Sequence, residues 1–225
     1  MPRGTLITIE GIDGAGKTTL AATLVLELAA RGPRVELLRE PGGVEASERI
    51  RALVKDRALS LAPRAEALLY AAARAQLVDE RLAGLLDEGA VVLLDRFLDS
   101  TLAYQGAGRG LGVAEMRALN ELATGGLRPD RTLLLRIDPP LGRERLRRRA
   151  DPADRLERAP DEFYARVAAA YDELARAEPE RFRVLDASRT PGEVLADALA
   201  ALADLPLGGP PLERGGLGKR GWQAA

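Results

Sequence analysis

The sequence predicts an α/β protein built on a parallel sheet, and three observations carry that reading. Strand-like and helix-like segments alternate along the 225 residues, the order that crossover helices between parallel strands require. The strand-like runs at 91–94 and 133–135 are continuously apolar rather than alternating, as strands are when helices cover both faces. A glycine-rich run, Gly11-Ile12-Asp13-Gly14-Ala15-Gly16-Lys17-Thr18, joins the first strand to the first helix.

Taken in order, strands are predicted at Thr5–Glu10, 34–38, 90–95, 131–137 and 183–185. Helices fill the intervals at 17–30, Glu45–Lys55, 63–88, 113–123, 141–149, Asp161–Ala177 and 191–203. The 63–88 stretch is the longest, with apolar positions at mixed three- and four-residue spacing, and reads as one largely buried helix. Between positions 206 and 221, nine of sixteen residues are Gly or Pro. That composition cannot bury enough surface to offset ordering entropy. The reading is therefore one domain over 1–205 and a mobile tail over 206–225, which carries Lys219 and the sole tryptophan, Trp222.

Composition narrows the chemistry. Hydrophobic residues make up 46% of the chain, enough for a core, and no apolar run approaches the ~20 residues that span a bilayer. No charged segment followed by an apolar one opens the chain, so no signal peptide and a cytoplasmic location are expected. Cysteine and histidine are both absent, which removes thiolate nucleophiles, Cys-ligated metals and the commonest general base. Chemistry must rest on carboxylates, cations, hydroxyls and a bound metal ion. Phosphoryl transfer, which depends mainly on positioning and electrostatics, fits that inventory. A net charge of −1 argues against nucleic-acid binding. Only Lys17, Lys55 and Lys219 are lysines, so 30 of the 33 basic residues are arginine.

The glycine run fills every fixed position of the phosphate-cradling pattern G-x-x-x-x-G-K-[ST]. Its backbone N–H groups converge on phosphate oxygens at a helix N-terminus. Lys17 is the residue that reaches the β- and γ-phosphates, and Thr18 the hydroxyl for Mg²⁺. Asp95, at the end of the third strand, is placed to hold the same ion through water. Arg96 offers a planar fork for a phosphate. Arg39-Glu40-Pro41-Gly42-Gly43 forces a sharp loop at the carboxyl edge of the sheet, where ligands bind in such folds. From Ser100 to Gly110 the chain is dense in glycines and hydrogen-bonding groups, unlike a packed helix, and reads as the wall of a polar pocket. Arg143, Arg145, Arg147, Arg148, Arg149 and Arg155 crowd 13 residues. Acids and Pro152 among them point to a short flap, about 141–158, whose arginines close on a γ-phosphate.

With these residues in hand, the chain resembles the thymidylate kinase family from about residue 6 to 203. The motifs fall in family order: E-G-I-D-G-A-G-K-T-T, R-E-P-G-G, Y-A-A-A-R, D-R-F-L-D-S-T-L-A-Y-Q-G-A-G-R-G, the arginine flap and V-L-D-A. The resemblance implies a P-loop nucleoside-monophosphate kinase fold with a five-stranded parallel sheet of order 2-3-1-4-5, and a homodimer. It implies transfer of a phosphoryl group from ATP to dTMP with Mg²⁺, and small-molecule partners only. Gly11, Ile12, Asp13, Gly14, Ala15, Gly16, Lys17, Thr18 and Thr19 are implied to hold ATP. Glu40, Pro41, Arg51, Tyr70, Arg74, Arg96, Ser100, Thr101, Tyr104 and Gln105, together with Asp13, are implied to hold dTMP. In that scheme Arg51 and Arg96 grip the dTMP phosphate, Arg74 hydrogen-bonds thymine and Tyr70 stacks on it. Thr101 and Gln105 line the thymine edge, Tyr104 crowds the 2′ position, and Asp13 orients the acceptor sugar. Gly14 stands where some relatives carry a P-loop arginine, so the catalytic arginines are assigned to the flap, with Arg149 and Arg155 the first choices. The 187–190 loop flanks adenine.

Three rivals fare worse. A regulatory GTPase needs an Asn-Lys-x-Asp-type reader, and the sole asparagine, Asn120, is followed by Glu-Leu-Ala. A nucleic-acid-acting ATPase has only the arginine cluster in its favour. A kinase of another monophosphate is disfavoured by Arg74 and the 95–110 segment.

Overall fold

Both faces of the sheet are covered, and burial along the strands follows from that. The structure is a computed structural model and describes residues 3–148 and 154–207. Strands β1 (Thr5–Glu10), β2 (Val35–Arg39), β3 (Val91–Asp95), β4 (Arg131–Arg136) and β5 (Phe182–Asp186) form one parallel sheet in the order β2-β3-β1-β4-β5. Successive side chains leave a strand on opposite faces. Ile7, Ile9, Val91 and Leu93 join one core cluster with Leu20, Leu24 and Leu28 of helix α1 (Lys17–Ala29). Leu6, Val92 and Leu94 join a second with Leu77, Leu82, Leu86 and Phe97. The sheet order implied by the resemblance is the one observed.

Eight further helices complete the described residues: α2 (Glu45–Lys55), α3 (Pro63–Leu77), α4 (Ala83–Asp87), α5 (Leu98–Thr101), α6 (Val113–Thr124), α7 (Pro139–Arg147), α8 (Asp161–Ala177) and α9 (Pro191–Ala201). The predicted 63–88 helix is not uniform. It loosens into a π-helical stretch at Val78–Leu82 between α3 and α4. A larger correction concerns Ser100–Gly110, read from sequence as unlike a helix. α5 continues directly into a π-helix at Leu102–Gly108, where Leu102, Ala103, Tyr104, Gln105, Gly106 and Gly108 are all buried. Packing against α8 and α6 overrides the poor helix propensity of its glycines. There is no room for a side chain at Gly108, whose Cβ would come 2.6 Å from the Phe163 ring.

Register places the chemistry. Ile9 pairs with Asp95 and Arg39 pairs with Asp95, so the ends of β1, β2 and β3 converge on one carboxyl edge. At the far end of the chain, Leu205 and Leu207 still pack against the core. Leu207 belongs to the segment read as a mobile tail, whereas Arg149 of the flap and the tail from 208 onward, with Lys219 and Trp222, lie outside the described residues.

Candidate active site

β1 hands the chain to α1 through a loop that favours glycine at three points, with Gly11 at φ 139°, Gly14 at φ 81° and Gly16 at φ 93°. α1 has no acidic residue in its first turn, whereas α2, α3, α8 and α9 each carry one or two. The positive end of its dipole is thus left for an external anion. Lys17 folds back over the loop, donating from Nζ to the carbonyls of Ile12 at 2.8 Å and Gly11 at 3.1 Å. Burial, and then the neighbouring Arg96, push its amine down to about 8 against the attraction of Asp13 and Asp95.

Across the loop lies a corner built from Asp13, Arg96 and Tyr104. Arg96 is the one described non-glycine residue at positive φ, 70°, which turns its guanidinium back over the loop. Its Nη1 donates to Gly11 O and Ser100 Oγ at 3.1 Å each, and its Nη2 to Tyr104 OH at 3.2 Å and to the Asp13 carboxylate. The terminal N–H groups therefore already face protein acceptors, so Arg96 is a pre-aimed positive charge rather than a free planar fork for a phosphate. Asp13 also accepts from Tyr104 OH at 3.1 Å and Tyr164 OH at 3.3 Å. Burial pushes its carboxyl up, but Arg96 and Lys17 outweigh that and hold it at about 2.

Sequence reasoning missed what holds this corner. Glu10, fully buried at the end of β1, accepts from Phe97 N at 2.7 Å, Ser100 N at 3.3 Å, Ser100 Oγ at 2.7 Å and Tyr171 OH at 2.7 Å. It caps the turn after Arg96. Burial and the nearby Asp99 push its carboxyl up. A lone carboxylate ending an apolar strand was the only signal available.

A cleft of about 1380 Å³ runs from the loop to a second wall. Glu40, Pro41, Arg51, Tyr70, Ser100, Thr101, Tyr104 and Gln105 all line it. Gly14, Ala15, Gly16, Lys17, Thr18, Thr19 and Ala187 line the loop side with Arg145 and Arg189. Gly11 and Ile12 contribute the carbonyls that Lys17 holds. Arg51 donates from Nη1 to Pro41 O at 2.8 Å.

Arg74 departs from the expectation. It is 1% exposed and does not line the cleft. Its N–H groups meet Glu40 Oε2 (2.9 Å from Nε, 2.7 Å from Nη2), Thr101 Oγ1 (2.9 Å), Asn120 Oδ1 (2.7 Å) and Phe97 O (3.0 Å). Of the five donors of an arginine, four make hydrogen bonds beneath the wall and Nη2 also lies in ion-pair distance of Glu40. In this structure it sets Glu40 and Thr101 in place instead of facing a base. Asn120, which donates to Leu98 O at 2.9 Å, fixes Arg74 in turn.

The flap also differs from its reading. α7 begins against the phosphate loop, so closely that a Cβ on Gly14 would lie 2.1 Å from Gly142 O. That contact is the physical reason the loop carries glycine here. Arg145 Nη1 donates to Ala187 O at 2.8 Å, tying α7 to the 187–190 loop. Arg155, a first choice for γ-phosphate contact, points elsewhere: Nε donates to Val54 O at 3.0 Å and Nη1 pairs with Glu66 at 2.7 Å. Its buried partners lie on α2 and α3, which draws it away from the loop. Gly14→Ala is expected to cost about 1–3 kcal/mol through overpacking and positive φ. Gly16→Ala, at φ 93° with nothing within 4 Å of its Cβ, should cost only the strain part. Urea midpoints of the two variants check the difference.

Thr18 Oγ1 donates to Asp95 Oδ2 at 2.9 Å. A hydroxyl beside a carboxylate is an oxygen donor set of the kind Mg²⁺ takes, with substrate phosphates supplying the remainder. Among the described residues no group of three or more His, Cys, Asp or Glu could hold a metal by itself. No described helix is long and apolar enough to cross a membrane.

A phosphate loop at the carboxyl edge of a 2-3-1-4-5 sheet, with a polar wall facing it, has the fold of the P-loop nucleoside-monophosphate kinases. A family model described as thymidylate kinase matches residues 9–198, and the chain belongs to the thymidylate kinase family. It is 49% identical to a thymidylate kinase of Deinococcus radiodurans, covering 91% of this chain and 98% of that protein. It is 47% identical to one of Halorhodospira halophila, over 93% and 99%. The crystal structure of thymidylate kinase from Ehrlichia chaffeensis superimposes with a TM-score of 0.72 at 30% identity, covering 89% of this chain and 99% of that one.

Proposed function

We propose that this kinase transfers the γ-phosphoryl group of ATP to dTMP, giving ADP and dTDP, with residues 1–205 as the working domain. One observation carries the reading. Asp13 belongs to the loop that cradles the donor phosphates, yet it is bonded to Arg96 and Tyr104 of the facing wall. Donor and acceptor are thereby brought to one edge, the arrangement that phosphoryl transfer requires. A phosphate oxygen of dTMP attacks the γ-phosphorus in line, the β–γ bridging bond breaks, and its electron pair leaves on ADP. That oxygen is already ionised at neutral pH, so the step proceeds without a strong base.

Lys17 and the loop amides hold the donor phosphates and take up charge as it develops. Arg96 and Arg51 hold the acceptor phosphate, Asp13 the sugar, and Tyr70, Thr101 and Gln105 the base. Arg145 and the 187–190 loop flank adenine. Arg149 remains a candidate for the γ-phosphate, whereas Arg155 is paired with Glu66 away from the loop. Mg²⁺, held by Thr18 and Asp95, supplies further charge neutralisation at the phosphates when bound.

Supply of ATP and Mg²⁺ favours a cytoplasmic location. A homodimer is supported by Leu53 of α2, Leu68 of α3 and Leu122 of α6, exposed by 41%, 59% and 84%, with α2 and α6 both packed on α3. Coupled ADP-release assays with dTMP, dUMP, UMP, CMP and AMP test the assignment. dTMP is expected to give the highest kcat/KM, and preference for a purine or cytidine acceptor overturns it.

A further inference from the structure

Glu66 sits in the first turn of α3 at 0% exposure, and none of the steps above uses it. Its Oε1 accepts from Gln105 Nε2 at 2.8 Å and Arg109 Nε at 3.2 Å. Its Oε2 accepts from Arg109 Nη2 at 3.1 Å and pairs with Arg155 Nη1 at 2.7 Å. Burial pushes its carboxyl up, but hydrogen bonds from Arg109 and Gln105 and the charge of Arg109 outweigh it and hold the group below the usual range. Two arginines thus keep a carboxylate ionised inside the protein.

An ionised carboxylate accepts hydrogen bonds and donates none. The end of the Gln105 amide facing Glu66 must therefore be its nitrogen, and its carbonyl is turned the other way. Gln105 is 2% exposed, and what it does expose lines the cleft beside Thr101 and Tyr104. A free glutamine can present either end of its amide to a ligand, but here one orientation leaves a carbonyl facing a carboxylate.

We infer that Glu66 is a positioning residue that fixes the polarity of the Gln105 amide, so that the cleft offers a carbonyl acceptor to the incoming base. Such an acceptor selects a pyrimidine carrying a ring N–H, as thymine does at N3, over one with a ring-nitrogen acceptor there, as in cytosine. Discrimination of this kind comes from the unpaired acceptor and mismatched lone pairs that the wrong base leaves buried. The inference rests on the acceptor reading above, in which Gln105 meets the base.

The test compares kcat/KM for dTMP and dCMP in the wild type and in Glu66→Gln. A neutral amide at position 66 can donate to the Gln105 carbonyl, so either orientation becomes possible. The ratio of the two kcat/KM values is expected to fall at least about tenfold, one fairly modest hydrogen-bond difference. Equal loss for both substrates, with the ratio unchanged, would mean that Glu66 is only structural and overturns the inference. A wild type that does not prefer dTMP instead overturns the acceptor reading itself. Should Glu66→Gln fail to fold, the wild-type Gln105 side-chain amide gives a second readout, its resonance assigned by loss in Gln105→Met. A downfield, slowly exchanging proton is expected, and a free-glutamine shift with fast exchange overturns the proposal.

Discussion

Lys17→Ala is expected to lower kcat by about 10²–10³, the loss typical of removing one preorganised charge-stabilising donor, while leaving the protein at least as stable. The two outcomes separate because Lys17 is a charge held at 7% exposure with only a long ion pair to offset its burial. Its nearest carboxylate, Asp13, is 3.9 Å away, and two loop carbonyls supply its hydrogen bonds. Burying such a group costs desolvation that those contacts only partly offset. Removing it relieves that cost and removes catalysis together. Single-turnover rates and urea midpoints measured on the same preparation check both halves. A variant that loses activity only because it unfolds would show the assignment to be structural.

The same amine sets a pH dependence. In the free protein it titrates at about 8, and bound phosphates draw a proton back onto it. The ATP complex then carries more protons than the free protein above that pH. By linkage, ATP affinity should be flat below pH 8 and weaken by up to about tenfold per pH unit above it. Proton uptake on binding at pH 9, read by calorimetry in two buffers of different ionisation enthalpy, tests the sign.

How much of this was legible beforehand follows from how far apart the cooperating residues lie. The phosphate loop is contiguous, so chemistry dictates residue types at fixed spacing, and its place between β1 and α1 is the expected one. Element types were legible for the same local reason, since apolar runs and helical spacing are short-range patterns. The strand order rested on resemblance alone. Partners joined only by the fold stayed hidden. Glu66 meets Gln105 across 39 positions, and Arg155 meets Val54 across 101. Nothing in the helical pattern of α3 sets Glu66 apart from an ordinary first-turn acid. The structural roles of Glu10, Asn120 and Gly142 stayed hidden likewise. The 100–110 segment was misread for the opposite reason: its glycines and polar groups look loop-like locally, yet they are what close packing against α8 and α6 demands.

Arg96→Ala is expected to reduce kcat/KM for dTMP by about 10²–10³, chiefly through KM, with ATP affinity little changed. Two separate losses combine. The acceptor phosphate loses its anchor, and Asp13 loses the partner that keeps its carboxyl at about 2. With Arg96 gone, only Lys17 and the Tyr104 hydrogen bond oppose burial, so the Asp13 carboxyl rises from its wild-type position and is held less firmly ionised. Backbone strain provides the control. At φ 70° an L-residue costs roughly 1–2 kcal/mol, which the contacts with Gly11, Ser100, Asp13 and Tyr104 offset in the wild type. Alanine keeps the strain and discards the contacts, whereas glycine discards both. Arg96→Gly should therefore be about 1 kcal/mol more stable than Arg96→Ala and equally poor with dTMP. Arg96→Lys keeps the charge without the planar fork, and an intermediate KM is expected for it. If glycine proves no more stable than alanine, the left-handed turn is not strained. If ATP affinity falls as steeply as dTMP affinity, Arg96 belongs to the donor side. The strand end places a bulky cation in a conformation suited to glycine, and that turn aims it across the loop at Asp13.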